Sequence, residues 1–199
     1  MLQIFHLSRT RSMRVVWLAE EMGVPYELKT EVFGQPSAEF LAASATGAFP
    51  AIRDGEVGMG ESTAILQYVA DTYGPTPLAL KPGDARYADY LQFLTYGEAS
   101  LAAYLNPVIM TRFMAPDDQK ENFTSDAAKR LFVGRLKGVE RQLEKGDYLA
   151  GDFTAADISV GFALNMGNLL GLGGDYAKPV QDYHARLQAR PAYQAAAAK

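Results

Sequence analysis

A stretch rich in proline and glycine divides this sequence into two parts with different hydrophobic periodicities. The stretch contains Pro75, Pro77, Pro82 and Gly83. Such a stretch is typical of a linker because proline and glycine interrupt regular helices and strands. Before it, strand-like apolar runs alternate with helical spacing, whereas helical spacing continues almost throughout after it. The sequence therefore predicts an α/β domain at residues 1–76, a linker at 77–84 and an all-helical domain at 85–199.

The first part alternates predicted strands and helices. In chain order, the apolar patterns predict a strand at residues 2–5, a helix ending at Gly23, a strand at 26–32, a short helix at 38–43, strands at 49–52 and 57–59, and a helix from residue 61 to about 73. Asp54-Gly55 is a hairpin signal between the last two strands. This order predicts a compact unit with a small mixed sheet.

The second part is predicted to be helical. The patterns indicate one long helix or two at residues 87–114 with a kink near Pro107, a helix containing Phe132 and Leu143, a buried helix after Thr154, and a last helix at 179–189. Thr154 and Asp157 have the spacing of a capping box, here with Asp in place of the usual Glu. The alanine-rich tail after Pro191 is expected to pack loosely.

Composition excludes several classes of function. The 199 residues include no cysteine, so disulfides, thiolate metal sites and a cysteine nucleophile are excluded. The formal net charge is −4, with both signs spread along the chain, which argues against nucleic acid as a partner. No signal peptide is expected, and the apolar stretch 158–174 is interpreted as a buried helix and turn, so no membrane partner is expected. The prediction is a cytoplasmic protein.

Most familiar cofactor and catalytic motifs are missing from the sequence. The two histidines, His6 and His184, lie in different predicted domains without metal-ligand spacing, so no metal site and no histidine-based triad is predicted. Neither GxGxxG nor GxxxxGK[ST] occurs, which removes the motif for dinucleotide or nucleoside-triphosphate binding. The chemistry must therefore come from other polar groups.

Four groups of polar or special residues follow strand ends or open helices in the first part. They are the hydroxyls Ser8, Thr10 and Ser12, the arginines Arg9, Arg11 and Arg14, the Phe49-Pro50 step, and the Glu61-Ser62 pair. Each has an ordinary explanation: capping of a helix, a solvated face, or the start of a strand. Together they lie at one end of the predicted sheet, where two helix N-termini can point at one crevice and bind a ligand carboxylate.

The ordered set of motifs resembles the glutathione transferase family over nearly the whole chain. The matching stretches are SRTRSMRVVWLAEEMGVPYEL, GAFPAI, GESTAILQYVADTYG, YLAGDFTAADISV and RLQARPAYQ. Within the family the chain is most similar to bacterial enzymes of the serine/threonine type. The resemblance implies a thioredoxin-like N-terminal domain, an all-helical C-terminal domain and a transferase that uses glutathione as co-substrate without a metal.

The resemblance also implies roles for residues at the predicted crevice. Pro50 is expected to follow a cis peptide bond, which lets the backbone of Phe49 pair with the cysteinyl part of glutathione. Ser62 and the first turn of its helix are expected to bind the γ-glutamyl carboxylate, and Glu61 to help hold the γ-glutamyl end. Further expected contacts with glutathione are Arg11 and Gln35.

Activation of the glutathione thiol is the expected mechanism. A free thiol has a pKa near ~8.5, so a hydroxyl donor at the start of the first helix would stabilise the thiolate for attack on an apolar electrophile or a peroxide. Thr10, Ser12 and Ser8 remain alternatives for this donor. The electrophile is expected to bind against aromatic and flexible side chains of the helical part, namely Tyr96, Tyr104, Met110 and Phe113.

One departure from the family pattern keeps a second function open. Ala48 stands where the family often has a lysine that holds the glycine carboxylate of glutathione, so either binding is weaker or Lys29 or Arg53 substitutes. The alternative is a non-catalytic ligand-binding or interaction protein with the same fold. A glutaredoxin-like mixed disulfide is excluded because the chain has no cysteine. Members of the family are usually homodimers, so a homodimer is expected.

Overall fold

The computed structural model describes residues 1–120 and 122–199, and it divides into two compact units. Unit 1 comprises Met1–Ala79 together with Gln188–Lys199, and unit 2 comprises Leu80–Leu187. Unit 1 contains a four-stranded sheet with helices, whereas unit 2 is helical. The predicted fold class, an α/β thioredoxin-like part and an all-helical part, is confirmed.

The sheet of unit 1 mixes parallel and antiparallel pairs. Its strands are β1 (Leu2–His6), β2 (Tyr26–Thr30), β3 (Ala51–Asp54) and β4 (Val57–Gly60), in the spatial order β2-β1-β3-β4. β1 pairs in parallel with β2, and β3 runs antiparallel to both β1 and β4. The β3–β4 connection is the tight hairpin predicted from Asp54-Gly55. Gly60, the last residue of β4, lies opposite Ala51, the first residue of β3, and the chain enters the next helix directly after Gly60.

Three helices of unit 1 lie where the sequence predicts them. They are α1 (Ser12–Met22), α2 (Ala38–Ala43) and α3 (Ser62–Thr72). α1 ends at Gly23, whose left-handed φ of 63° lets its N–H reach back to the last turn of the helix. Side chains at helical spacing on α1 and α3, including Val15, Leu18 and Val69, are fully buried in the core of the unit.

The C-terminal tail forms a docked helix, so the prediction of loose packing is wrong. After α8 (Lys178–Gln188), α9 spans Pro191–Ala197, with Pro191 at its first position. Arg190 makes a bidentate ion pair with Glu21 of α1, with Nε and Nη2 at 2.6 and 2.8 Å from the two carboxylate oxygens. The Tyr193 ring meets Trp17 edge-on, with centroids 5.0 Å apart. Aromatic and ionic contacts therefore hold a tail whose alanine content suggested few side-chain contacts.

In the described part of unit 2, four α-helices precede α8. They are α4 (Tyr87–Tyr96), α5 (Ala103–Met114), α6 (Phe123–Leu143) and α7 (Ala155–Leu169). A π-helical turn at Gly97–Ala102 joins α4 to α5, and Pro107 lies inside α5, so the kink near Pro107 stays a prediction. The π-helical turn packs against α7: a Cβ at Gly97 would clash with the Ser159 backbone carbonyl, and Ser159 Oγ donates to Leu94 O at 2.7 Å.

The predicted capping box opens α7 and is confirmed. Thr154 N donates to Asp157 Oδ2 at 2.8 Å, and Ala156 N donates to Thr154 Oγ1 at 3.3 Å. Asp157 also accepts from Leu149 N and from Tyr183 Oη, and burial raises its pKa to about 6. The stretch 158–174 is a buried helix followed by a turn, as predicted. Within residues 1–120 and 122–199, no helix has the length and apolar character needed to cross a membrane.

Candidate functional site

The start of β3 carries the predicted cis peptide bond. The Phe49–Pro50 bond is cis, which confirms that expectation. The Phe49 ring stacks on Phe40 of α2, with centroids 4.3 Å apart and an interplanar angle of 11°, so the side chain is anchored away from the strand edge. The strand ladder ends at Ala51, which leaves the Phe49 backbone just beyond the paired part of the sheet. The position suits a backbone that pairs with an extended ligand.

The first turn of α3 lies beside this cis bond. Gly60, which precedes α3, is opposite Ala51, and a Cβ at Gly60 would lie 3.8 Å from Pro50 O. Glu61 is exposed and has a positive φ of 66°, which is uncommon outside glycine. Its carbonyl accepts from Ile65 N at 2.9 Å, but no side chain caps the helix at Glu61. The first N–H groups of α3 therefore have no intrahelical acceptor and receive no cap from the Glu61 side chain.

Ser62 does not cap α3, so the capping explanation is wrong for this residue. Ser62 is the first residue of the helix, only 3% exposed, and its Oγ accepts a hydrogen bond from Arg14 Nη1 at 2.9 Å. Arg14 lies in the first turn of α1 and is fully buried. The arrangement places a buried guanidinium directly behind a serine hydroxyl at a helix N-terminus, which favours an anionic group there.

The hydroxyls after β1 form one connected cluster around Ser12. Ser12 Oγ lies 2.9 Å from His6 Nδ1 and 2.8 Å from Thr10 Oγ1, and it accepts from Leu7 N at 3.2 Å. Thr10 Oγ1 donates to Leu7 O at 2.7 Å. Ser12 is fully buried whereas Thr10 is half-buried, so only the latter of these two hydroxyls reaches the surface. Burial lowers the pKa of His6, which keeps the imidazole neutral within this cluster at neutral pH.

The remaining predicted residues of the β1–α1 loop lie further out. Ser8 and Arg9 are exposed, and Arg9 has a positive φ of 62°. Arg11 is half-buried and precedes α1 as its N-cap residue. The three arginines between residues 9 and 14 thus separate into the buried Arg14 of α1 and two residues of the loop, the exposed Arg9 and the half-buried Arg11.

Gln35 lies in an exposed turn that a buried carboxylate supports. Gln35 N donates to Val32 O at 3.0 Å, and the Gln35 side chain is exposed. Glu31, 7% exposed, accepts from Ser37 N at 2.8 Å and from Ser37 Oγ at 2.6 Å. Glu31 therefore closes the base of the turn that carries Gln35.

Of the two cations considered as substitutes for a lysine at Ala48, Lys29 is already paired. Its Nζ lies 2.8 Å from Glu27 Oε1 and 3.6 Å from Glu39 Oε2, and hydrogen bonding to Glu27 raises the pKa of this lysine. Arg53 is half-buried on β3, opposite Gln3 of β1. Ala48 itself is exposed.

The four residues predicted to contact an electrophile fall into two pairs within unit 2. Tyr96 Oη donates to Arg135 O at 2.8 Å, and Tyr104 Oη accepts from Arg135 Nη2 at 2.7 Å with the guanidinium 4.6 Å from the ring centre. Both tyrosines are therefore hydrogen-bonded to Arg135 of α6, and both are half-buried. Met110 and Phe113 on α5 are 58% and 69% exposed, respectively, and are the apolar pair available to a ligand.

Three residues that matter to this arrangement were not assigned these roles from the sequence: Arg14 behind Ser62, His6 beside Ser12, and Arg135 between the tyrosines. The spacing of Arg14 within α1 matches its apolar face, which is the one signal that could have indicated its burial. Among the residues that the structure describes, no group of three or more histidines and carboxylates is placed to hold a metal ion.

Comparison with known proteins agrees with this geometry. Residues 6–77 match the family model for the N-terminal domain of glutathione S-transferase. The chain is 28% identical to glutathione S-transferase 3 of Schizosaccharomyces pombe over its full length and 88% of that protein. It is 31% identical to glutathione S-transferase 3 of Zea mays, over 91% of this chain and 86% of the relative.

Solved structures show the same fold. A glutathione transferase from Pseudomonas putida, crystallised with one glutathione disulfide per subunit, superposes with a TM-score of 0.86 at 26% identity, covering 98% of this chain and 90% of that one. A glutathione transferase from Methylococcus capsulatus gives 0.85 at 25% identity, covering 100% and 98%. The chain belongs to the glutathione S-transferase family.

Proposed function

We propose that this protein is a glutathione transferase that activates the glutathione thiol for attack on small apolar electrophiles. The observation that carries the proposal is the N-terminus of α3, where the buried Arg14 donates to the Ser62 hydroxyl beside the start of β3. An extended backbone edge and a cationic helix N-terminus, side by side, match the peptide backbone and the γ-glutamyl carboxylate of glutathione. Family membership supports the same ligand.

The γ-glutamyl carboxylate binds at the N-terminus of α3 in this proposal. It accepts from the Ser62 hydroxyl and from N–H groups of the first turn, where the helix dipole also favours negative charge. The exposed carboxylate of Glu61 is placed to attract the ligand's ammonium group. Arg11 and Gln35, at the surface of unit 1, are proposed as further contacts.

Thr10 is our proposal for the hydroxyl that stabilises the thiolate. Ser12 is fully buried and engaged by His6, Leu7 and Thr10, and Ser8 lies at the exposed end of the loop. Thr10 is half-buried and donates to a neutral carbonyl, Leu7 O. A bound thiolate would compete well for this proton because hydrogen bonds to charged acceptors are about twice as strong as neutral ones.

The reaction then needs no covalent intermediate with the protein. The thiol proton leaves to solvent, the thiolate forms a carbon–sulfur bond with the electrophile, and the leaving group departs with its electron pair. Met110 and Phe113 are proposed as the apolar contacts of the electrophile because their side chains are exposed on α5. Organic peroxides are proposed as a second class of substrate: the thiolate attacks one peroxide oxygen, the O–O bond breaks and the alcohol leaves, and a second glutathione converts the resulting sulfenic acid to glutathione disulfide and water. We also propose a homodimer in the cytoplasm, which light scattering and fractionation test.

A non-catalytic glutathione-binding protein is the second candidate, and Ala48 is the observation that favours it. The exposed alanine offers no charge to the glycine carboxylate, and Lys29 is already paired with two glutamates. This alternative predicts that the protein binds glutathione weakly and does not catalyse its conjugation.

Calorimetric titration with glutathione tests the proposed site. We expect the wild type to bind, Ser62→Ala to bind about tenfold more weakly or worse, and Thr72→Ala, an exposed hydroxyl at the other end of α3, to match the wild type. Absence of binding to the wild type would contradict the proposal. Equal glutathione affinity for Ser62→Ala and the wild type would show that the γ-glutamyl carboxylate does not bind at Ser62.

A further inference from the structure

Arg14 occupies a position that is unfavourable for a cation. It is the third residue of α1, within the first turn, where the positive end of the helix dipole disfavours positive charge. Its side chain is also fully buried, which removes the hydration of the guanidinium. An apolar residue would fill this position at a lower cost in desolvation. A cation retained at such a position points to a role other than packing.

The hydrogen bond from Arg14 fixes the direction of the Ser62 hydroxyl. Because Arg14 Nη1 donates to Ser62 Oγ at 2.9 Å, the oxygen acts as acceptor on that side and its own proton must point elsewhere. Ser62 is 3% exposed, so this proton has few directions available. Donation by a cation also polarises the hydroxyl, which strengthens it as a donor.

We propose that Arg14 is the positioning residue for carboxylate recognition at Ser62. Arg14 does not touch the ligand: it holds the Ser62 hydroxyl as a donor toward the α-carboxylate of the γ-glutamyl group and supplies buried positive charge behind it. The inference rests on the proposed function, since it assigns that carboxylate to the first turn of α3. It adds a specificity: the site discriminates for ligands that carry a carboxylate at this end.

A ligand that lacks the α-carboxylate of glutathione allows a direct test of this proposal. The probe is 4-aminobutanoyl-cysteinyl-glycine, which is glutathione without the α-carboxylate of the γ-glutamyl residue. It retains the thiol, the cysteinyl backbone and the glycine carboxylate. Contacts with Phe49 and with the thiol-activating loop should therefore be shared by both ligands.

Calorimetry with both ligands on wild type, Arg14→Gln and Arg14→Lys tests the inference. Gln keeps an N–H donor but removes the charge, whereas Lys keeps the charge with a different geometry. We expect Arg14→Gln to weaken glutathione binding about tenfold or more while binding of the shortened ligand changes by less than about twofold. Arg14→Lys should recover part of the loss. In a Ser62→Ala background, Arg14→Gln should cost less than in the wild type, because only the contribution of the buried charge remains to be lost.

The outcomes separate this inference from the proposed function. Failure of the wild type to bind glutathione contradicts both. Binding by the wild type with equal losses for both ligands in Arg14→Gln would show a merely structural role and overturn the inference alone. If the Arg14 variants do not fold, the guanidinium ¹⁵N signal of Arg14 in the wild type decides: it should shift with glutathione and stay in place with the shortened ligand. Equal shifts would overturn the inference.

Discussion

Arg14 of α1 and Ser62 of α3 are joined by a buried 2.9 Å hydrogen bond across 48 positions of the chain. The bond ties the first turns of two helices, each of which follows a strand of the same sheet. Through this contact, a residue in the first helix becomes part of the proposed carboxylate site of the third. Unit 1 thereby presents hydrogen-bond donors and positive charge at one end of the sheet.

Replacing Thr10 should separate thiol activation from glutathione binding. We expect Thr10→Val to raise the pKa of the bound thiol and lower turnover by about tenfold or more, with a smaller change in affinity, because the hydroxyl acts on the thiolate. Thr10→Ser should retain most activity. The pH dependence of kcat/KM for an aryl halide measures the effect. An unchanged profile for Thr10→Val would reassign the donor to Ser8 or Ser12.

Loss of the N-cap of α7 should destabilise unit 2. Thr154→Ala removes the hydroxyl that accepts from Ala156 N, and we expect a cost of about 1 kcal/mol or more. Thr124→Ala is the matched control because this threonine is exposed in the first turn of α6, which Asn122 caps instead. Denaturant unfolding measures both. Equal midpoints for Thr154→Ala and wild type would show that the cap contributes no stability.

Docking of α9 should depend on the Arg190–Glu21 ion pair. The Glu21 side chain is 9% exposed and also accepts from Trp17 Nε1 at 2.9 Å, so removal of the arginine leaves a nearly buried carboxylate without its charged partner. We expect Arg190→Ala to cost on the order of 2 kcal/mol, and Arg190→Lys to recover only part because lysine cannot form the bidentate contact. Gln194→Ala, exposed on the same helix, is the control. Hydrogen exchange of α9 amides would detect the loss, and unchanged protection in Arg190→Ala would refute the assigned role.

Acid should destabilise the protein partly through His184. Burial lowers the pKa of His184 to about 4, so the unfolded chain takes up this proton first as the pH falls from about 6.5. Its stabilising contribution is thus complete above about pH 6.5 and is lost progressively down to about pH 4, by on the order of 3 kcal/mol. His184→Gln should lose less stability than the wild type between these values. Equal losses of stability in His184→Gln and the wild type over this pH range would contradict the contribution assigned to His184.

Protonation of Asp157 should change the stability in the opposite direction over part of the same pH range. Burial raises its pKa to about 6, so the folded protein takes up this proton before the unfolded chain does, and stability from this group rises as the pH falls through about 6. Asp157→Asn should therefore lose free energy of unfolding more steeply than the wild type as the pH falls. The variant also starts from a lower stability, because the carboxylate accepts several hydrogen bonds in the wild type. Unfolding midpoints at a series of pH values measure both variants.

The sequence predicts the elements well because their signals are local. Apolar spacing, Gly23 and Asp54-Gly55 define the early helices and the hairpin, and the spacing of Thr154 and Asp157 defines a cap. The π-helical turn between α4 and α5 was not predicted, and its Gly97 lies against Ser159, a residue distant in the chain whose approach no local pattern indicates.

The site is predictable only in part for the same reason. The sequence indicates Phe49, Pro50, Glu61 and Ser62 because each belongs to a short motif, Phe49-Pro50 or Glu61-Ser62, whose residues are adjacent in the chain. The pairing of Arg14 with Ser62, and of His6 with Ser12, depends on how helices pack on the sheet. Tyr96 and Tyr104 give the same sequence signal in a ligand pocket as in a helical core, and only the structure shows their hydrogen bonds to Arg135.

The most direct test of the central claim is the rate at which the wild-type protein conjugates glutathione to a model aryl halide, with glutathione binding measured on the same sample. We predict turnover that depends on both substrates and saturates with glutathione, and that falls in Ser62→Ala but not in Thr72→Ala. Measurable glutathione binding with no turnover above the uncatalysed rate would contradict the claim of a transferase and leave a glutathione-binding protein of the same fold.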